Sequence, residues 1–168
     1  MAIKPNAIVI NKNKYYSEFI LRHNFQYHHN GLEKMKKMTT DDFLRIKAFA
    51  AKENSQALYD LAACHRYGIF LPISLKDAFE CVQKSADKGD FILADWTLGE
   101  YYLRPEFVAH LELAKQLSAE LFQATCESRG FECIKKSADK GLAVAQYSLA
   151  ELYRRKGNSI FINRKLCT

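Results

Sequence analysis

A chain of 168 residues, 48% of them hydrophobic and 26% charged, is long enough to bury one core, which excludes wholesale disorder and collagen. Seven glycines and three prolines are too few turn formers for an all-β sandwich or barrel of this length, so a helical fold is expected. The net charge of +6 sits at the two ends: residues 1–54 carry ten Lys/Arg against five Asp/Glu, residues 55–150 ten against thirteen, and residues 151–168 five against one. Basic ends alone are not the basic face interleaved with aromatics that a nucleic-acid binder presents, so nucleic acid is not an expected partner.

The first 38 residues are read as an N-terminal extension in which Tyr15, Tyr16, Phe19 to Leu21 and Phe25 suit one covering helix. They contain neither an apolar stretch of signal-peptide length nor a small-residue cleavage site, and no apolar run in the chain approaches the roughly 18 residues that span a bilayer. A cytoplasmic protein without a membrane span is expected. His23, His28 and His29 do not have the i, i+3 or i, i+4 spacing that would bring two imidazoles to one metal from a helix, so no metal is expected there.

From Thr40 to Ala51 a capping residue, early acidic charge at Asp41 and Asp42, and an apolar stripe predict a helix, with Asn54 in the place where a C-capping glycine would stand. Three segments then share one pattern. Ala57, Leu61, Ala62 and His65, then Ala94, Leu98, Gly99 and Tyr102, then Ala145, Leu149, Ala150 and Tyr153 are spaced 0, +4, +5, +8. These positions fall within about 140° around a helix, and the small residue at +5 lets a neighbour come close.

After the first and before the third of these segments stand two near copies of a second element. Ala78 to Gly89 (AFECVQKSADKG) recurs 52 residues later as Gly130 to Gly141 (GFECIKKSADKG), with nine of twelve positions identical. Each copy spaces its apolar residues helically and is followed by glycine after lysine, where a left-handed C-cap is expected. The unit is a helix pair, and such pairs bury their apolar stripes by stacking on one another.

These residues, A-x-x-x-L-[GA]-x-x-[YH], then K-D-A-F and K-S-A-D-K-G, resemble the Sel-one-like repeats, a tetratricopeptide-related helical repeat of about 36 residues. The resemblance implies an all-α, right-handed α-α superhelix of about three helix-pair repeats over residues 39–157. Ala57 to Ala94 spans 37 residues, but Ala94 to Ala145 spans 51, so about fifteen are inserted. The insertion is placed at about 104–123, where Phe107, Val108, Leu111, Leu117, Leu121 and Phe122 suit an additional or extended helix. Residues from Gly157 onward resemble the loop between Gly68 and Asp77, so 158–168 is read as a tail, folding back as a cap, or as the start of a truncated next repeat.

Catalysis is not expected. The five cysteines, Cys64, Cys81, Cys126, Cys133 and Cys167, form no C-x-x-C pair, Cys81 and Cys133 are repeat equivalents, and no Gly-rich phosphate loop, H-E-x-x-H or G-x-S-x-G is present. No cofactor is implied. If the first helices line the inside of the curve, positions +2, +6, +9 and +10 face a groove: Tyr59, Ala63, Arg66 and Tyr67; Trp96, Glu100, Leu103 and Arg104; Tyr147, Glu151, Arg154 and Arg155. Aromatics and arginines dominate, and these are the types most enriched at binding hot spots. A protein or peptide partner with apolar and acidic groups is therefore expected, although a tyrosine at +2 is equally suited to packing between repeats. Proteins with these repeats are similar to scaffolds of bacterial signalling and host interaction and to adaptors of eukaryotic membrane-protein quality control. Richness in Lys, Asn, Ile, Phe and Tyr favours a bacterial adaptor delivered into a host cell. Two alternatives remain: a regulator that occupies an enzyme through the inserted helix, and a cysteine-dependent enzyme using Cys126 or Cys133 with a histidine, which would require a thiol of depressed pKa.

Overall fold

The computed structural model describes residues 37–165 except residue 112, with side-chain surroundings described as far as Arg155. The chain divides into two compact units, Met1–Phe43 and Leu44–Thr168. Apart from Lys37 and Met38, the expected extension 1–38 lies outside the described residues, as do His23, His28 and His29. Eight helices and no strand occur among the described residues. They are α1 (Thr40–Ala50), α2 (Ser55–Tyr67), α3 (Leu75–Asp87), α4 (Ile92–Tyr102), α5 (Pro105–Val108), α6 (Leu113–Gln116), α7 (Ala119–Asp139) and α8 (Ala143–Lys165).

Local chemistry sets most of the helix ends. Thr39 and Asp42 form a reciprocal capping box at the start of α1, the Thr39 hydroxyl accepting from the Asp42 amide and the Asp42 carboxylate from the Thr39 amide. Asn54 does not take the left-handed position expected of it. Glu53 does, at φ 57°, and Asn54 stays extended and accepts from the Ala57 amide at 2.9 Å, making it the N-cap of α2. Its short amide is worth more to the unpaired donors of a new helix than to a C-cap. Gly68, at φ 68°, closes α2, and the loop behind it is held by Ile73, whose Cγ1 would lie 2.8 Å from a Cβ on Gly68. Ser74 and Ser118 cap α3 and α7. Gly89 and Gly141 have positive φ as expected.

Packing joins α2 to α3 and α4 to α7, with α3 against α4 and α7 against α8. The core contains Ala62, Ala78, Phe79, Val82, Ala86, Ala94, Leu98, Tyr101, Tyr102, Phe107, Val108 and Cys126. The small residue at +5 is where the paired helices come closest. A Cβ on Gly99 would lie 2.5 Å from Ile134 Cγ1 and 2.9 Å from the Gly130 carbonyl oxygen, and one on Gly130 would lie 2.9 Å from Leu103 Cδ2. In the first pair the equivalent residues are Ala62 and Ala78, both essentially inaccessible. A second repeated contact fixes the register. Ser85 Oγ donates to the Ser55 carbonyl at 2.6 Å, and Ser137 Oγ donates to the Ile92 carbonyl at 2.8 Å, so the buried serine of each K-S-A-D-K-G element clips the first residue of its partner helix.

The insertion is both additional and extended helix. Two short turns, α5 and α6, precede an α7 of 21 residues, against 13 in α3. Pro105 occupies the first turn of α5, where its missing N–H costs nothing, and Phe107 and Val108 are turned into the core. At the other end, α8 runs through position 157 as helix to Lys165, where a loop was expected. Glycine permits a left-handed turn but does not impose one; at Gly68 the turn is held by Ile73 and by the Ser74 amide bonding the His65 carbonyl.

Gly99→Ala places a methyl group against the fully buried Ile134 side chain and the Gly130 carbonyl oxygen. It is expected to lower stability by about 1–3 kcal/mol despite the better helix propensity of alanine, and a reduced urea midpoint at unchanged slope is the check.

Candidate functional site

Arg66, Tyr67 and Arg104 are the expected groove residues that the fold brings into one cluster. The Arg66 guanidinium carbon lies 5.1 Å from the Tyr67 ring centre, 5.5 Å from that of Tyr101 and 5.4 Å from that of Phe107. Tyr101 and Phe107 are stacked, with centroids 3.9 Å apart and planes 14° from parallel. Phe107 reaches this place only because Pro105 starts a helical turn directly after Arg104. A cation–π contact is worth about 0.5–1 kcal/mol when exposed and about 2 when desolvated, and the three rings together surround the guanidinium on one side.

The electrostatics follow from this geometry. Burial pushes the Tyr101 phenol up, while the charges of Arg66 and Arg104 and a hydrogen bond from Arg66 pull it down, so both arginines act near its oxygen. Neither arginine takes part in an ion pair formed among the described residues. Tyr67 is 41% exposed beside them, and Ile73, in the loop that follows, is 69% exposed. The cluster therefore offers an apolar surface with uncompensated positive charge.

The +2 column behaves differently. Tyr59 Oη is 3.1 Å from Thr97 Oγ1 on the next first helix and its ring meets Phe91 edge-on at 5.1 Å, while Trp96 Nε1 donates to Ser148 Oγ at 3.1 Å. In both cases the +2 side chain bonds the +3 hydroxyl of the following first helix, so these two aromatics are struts between helices. Burial raises the Tyr59 phenol well above its ordinary value, which keeps it a neutral hydrogen-bonding group. Tyr147, the third of the column, is 70% exposed. Glu151 and Arg154 satisfy each other through a forked pair, with Nη2 2.8 Å from Oε2. Arg155 is exposed and Glu100 half-buried.

One buried ionic centre was not anticipated. Asp95, 2% exposed, receives Lys136 Nζ on one oxygen and Lys140 Nζ on the other, each at 2.7 Å, so both lysines of the second K-S-A-D-K-G element converge on it. The signal was available at the +1 position, where the first repeat has Leu58 and this one an aspartate. In the first copy Lys88 turns outward to Glu53 instead. Asp95 and Lys136 also line an open cleft of about 540 Å³ with Asp87, Leu98, Glu132 and Cys133, whose charges are of both signs.

Around the four described thiols the environment is the reverse of what activates a nucleophile. Burial pushes Cys64 up to about 12 and Cys133 up to about 11, and raises Cys81 and Cys126. His65 Nδ1 lies 3.8 Å from Asp77 Oδ2, and the His110 ring packs edge-on against Phe79. Among the described residues no group of three His, Cys, Asp or Glu could hold a metal ion, and no helix is long and apolar enough to cross a membrane. No family model, no curated protein and no solved structure matches this chain.

A thiol whose pKa is raised on folding favours the folded state only while it stays protonated. Ionisation above the ordinary value of 9.0 therefore favours the unfolded chain, and stability is expected to hold from pH 7 to 8 and to fall as pH rises beyond 9. Over the same range iodoacetamide should label Cys64 and Cys133 at least tenfold more slowly in the native chain than in urea, measured by mass spectrometry of digested peptides.

Proposed function

We propose that this chain is a non-catalytic helical-repeat scaffold that binds a partner protein or peptide carrying apolar and acidic groups at the Arg66, Tyr67 and Arg104 face. The observation that carries the reading is the Arg66 guanidinium packed within 5.5 Å of three ring centres and in no ion pair formed among the described residues, beside an exposed tyrosine. An incoming carboxylate would find the N–H edge of Arg66 already oriented, so little side-chain entropy would be lost on binding, and an aromatic or aliphatic neighbour would cover Tyr67. The sequence repeats resemble Sel-one-like repeats, and the recurring bond from +2 of one first helix to +3 of the next supports a superhelical stack. We further place the protein in a bacterial cytoplasm, with delivery into a host cell, on its composition and on the functions of the proteins it resembles.

Fluorescence anisotropy with a library of short peptides tests this directly. Acidic–aromatic peptides are expected to bind and basic ones not. Arg66→Ala with Arg104→Ala should weaken the best binder at least tenfold, and binding should also weaken as salt rises. Undiminished binding to the double variant would contradict the assignment of this face.

A further inference from the structure

The Arg66 cluster holds more positive charge than one carboxylate requires. Arg66 lies within 5.5 Å of the ring centres of Tyr67, Tyr101 and Phe107, and Arg104 is tied to two of the same residues through its backbone. Its amide donates to the Tyr101 carbonyl at 3.1 Å, and its carbonyl accepts from the Phe107 amide at 3.0 Å. Burial raises the Tyr101 phenol, and against burial act the charge and hydrogen bond of Arg66 and the charge of Arg104. Glu100 and Glu106, the acids nearest to Arg104 in sequence, form an ion pair with neither arginine. A carboxylate has one charge and two oxygens, and the fork of a single guanidinium satisfies both. A phosphate monoester carries a charge of about −1.5 to −2 and three acceptor oxygens, enough to engage two guanidinium groups.

The surface beside this charge is apolar. Tyr67 is 41% exposed, and the loop that follows it, from Gly68 to Ser74, contains no charged residue and leaves Phe70 45% and Ile73 69% exposed. The loop has a defined shape. The Ile69 amide bonds the Cys64 carbonyl and the Ser74 amide the His65 carbonyl, while Phe70 sits at φ 60°, a backbone conformation that an aromatic residue rarely adopts. Arg66 itself is half-buried, so an anion that reaches it does so beside the exposed Tyr67 ring. On the reading that this face binds a peptide, we propose that Arg66 and Arg104 together hold the phosphoryl group of a phosphotyrosine in the partner, with its ring against Tyr67. Apolar residues next to the phosphotyrosine would then cover Phe70 and Ile73. The ring brings apolar area to Tyr67 together with the charge, which phosphoserine does not, and two arginines meet a dianion better than a single carboxylate.

Fluorescence anisotropy on the full chain tests this with five labelled peptides that differ only at their centre, which is phosphotyrosine, tyrosine, glutamate, a glutamate pair or phosphoserine. The phosphotyrosine peptide is expected to bind at least tenfold more tightly than each of the others, the glutamate pair being the control of equal charge. Arg104→Ala changes an exposed residue and is expected to leave thermal unfolding in place. It should weaken the phosphotyrosine peptide at least tenfold and the glutamate peptide less than about threefold, because Arg66 alone suffices for a carboxylate; the retained glutamate binding also shows that the variant is folded. Equal affinity for phosphotyrosine and the glutamate pair overturns the proposal and leaves the acidic-peptide face standing, whereas no binding by any of the five overturns both. Phosphoserine binding as tightly as phosphotyrosine, or a phosphotyrosine affinity indifferent to Arg104→Ala, overturns the proposal as well.

Discussion

Two helices can bring their backbones together only where neither carries a side chain in the way, and the meeting of Gly99 with Gly130 is the point from which the second helix pair is built. The close approach sets α7 at the depth where Ile134 is fully buried and where Ser137 reaches the Ile92 carbonyl. A methyl group on either glycine would push α7 outward and break both contacts at once. Lys136 and Lys140 also depend on that depth, because they reach the buried Asp95 carboxylate only from a helix lying close against α4. A buried carboxylate is costly unless its oxygens are satisfied, so the ion pairs follow from the packing rather than cause it.

The insertion is accommodated by the same core. Helix α7 begins earlier than its repeat equivalent α3, and the connection back from α4 is used to bury Phe107 and Val108 rather than to form a loose loop. Phe107 then stacks on Tyr101, and the Arg66 guanidinium lies beside both rings. A segment that interrupts the repeat thus completes the Arg66 cluster, while the regular +2 aromatics, Tyr59 and Trp96, are occupied in holding neighbouring first helices together.

Much of this was legible in the sequence because it rests on local rules. The helices from Thr40 to Tyr102, the glycine turns at Gly89 and Gly141, and the small residues at Ala62 and Gly99 follow from periodicity and from what glycine permits. The exchange of roles between Glu53 and Asn54 was not legible, since an asparagine suits both a left-handed C-cap and an extended N-cap and only the start of the next helix decides. The continuation of α8 past position 157 was missed because the loop that it resembles is held by tertiary contacts at Ile73 and Ser74 that no local rule describes. The site was legible only in part. Arg66, Tyr67 and Arg104 were expected from their helical positions to share one face, whereas Tyr101 and Phe107 meet through the insertion, whose path the repeat period does not fix. Asp95 was not singled out in the sequence, because its two lysine partners reach it from another helix.

The central claim is that α4 and α7 meet at backbone contact through Gly99 and Gly130. Nuclear Overhauser spectroscopy on the labelled full chain measures it directly. The account predicts cross-peaks between the α-protons of Gly99 and Gly130 and between Gly99 and the Ile134 side chain. Their absence, in a chain whose other helical contacts are observed, would contradict it.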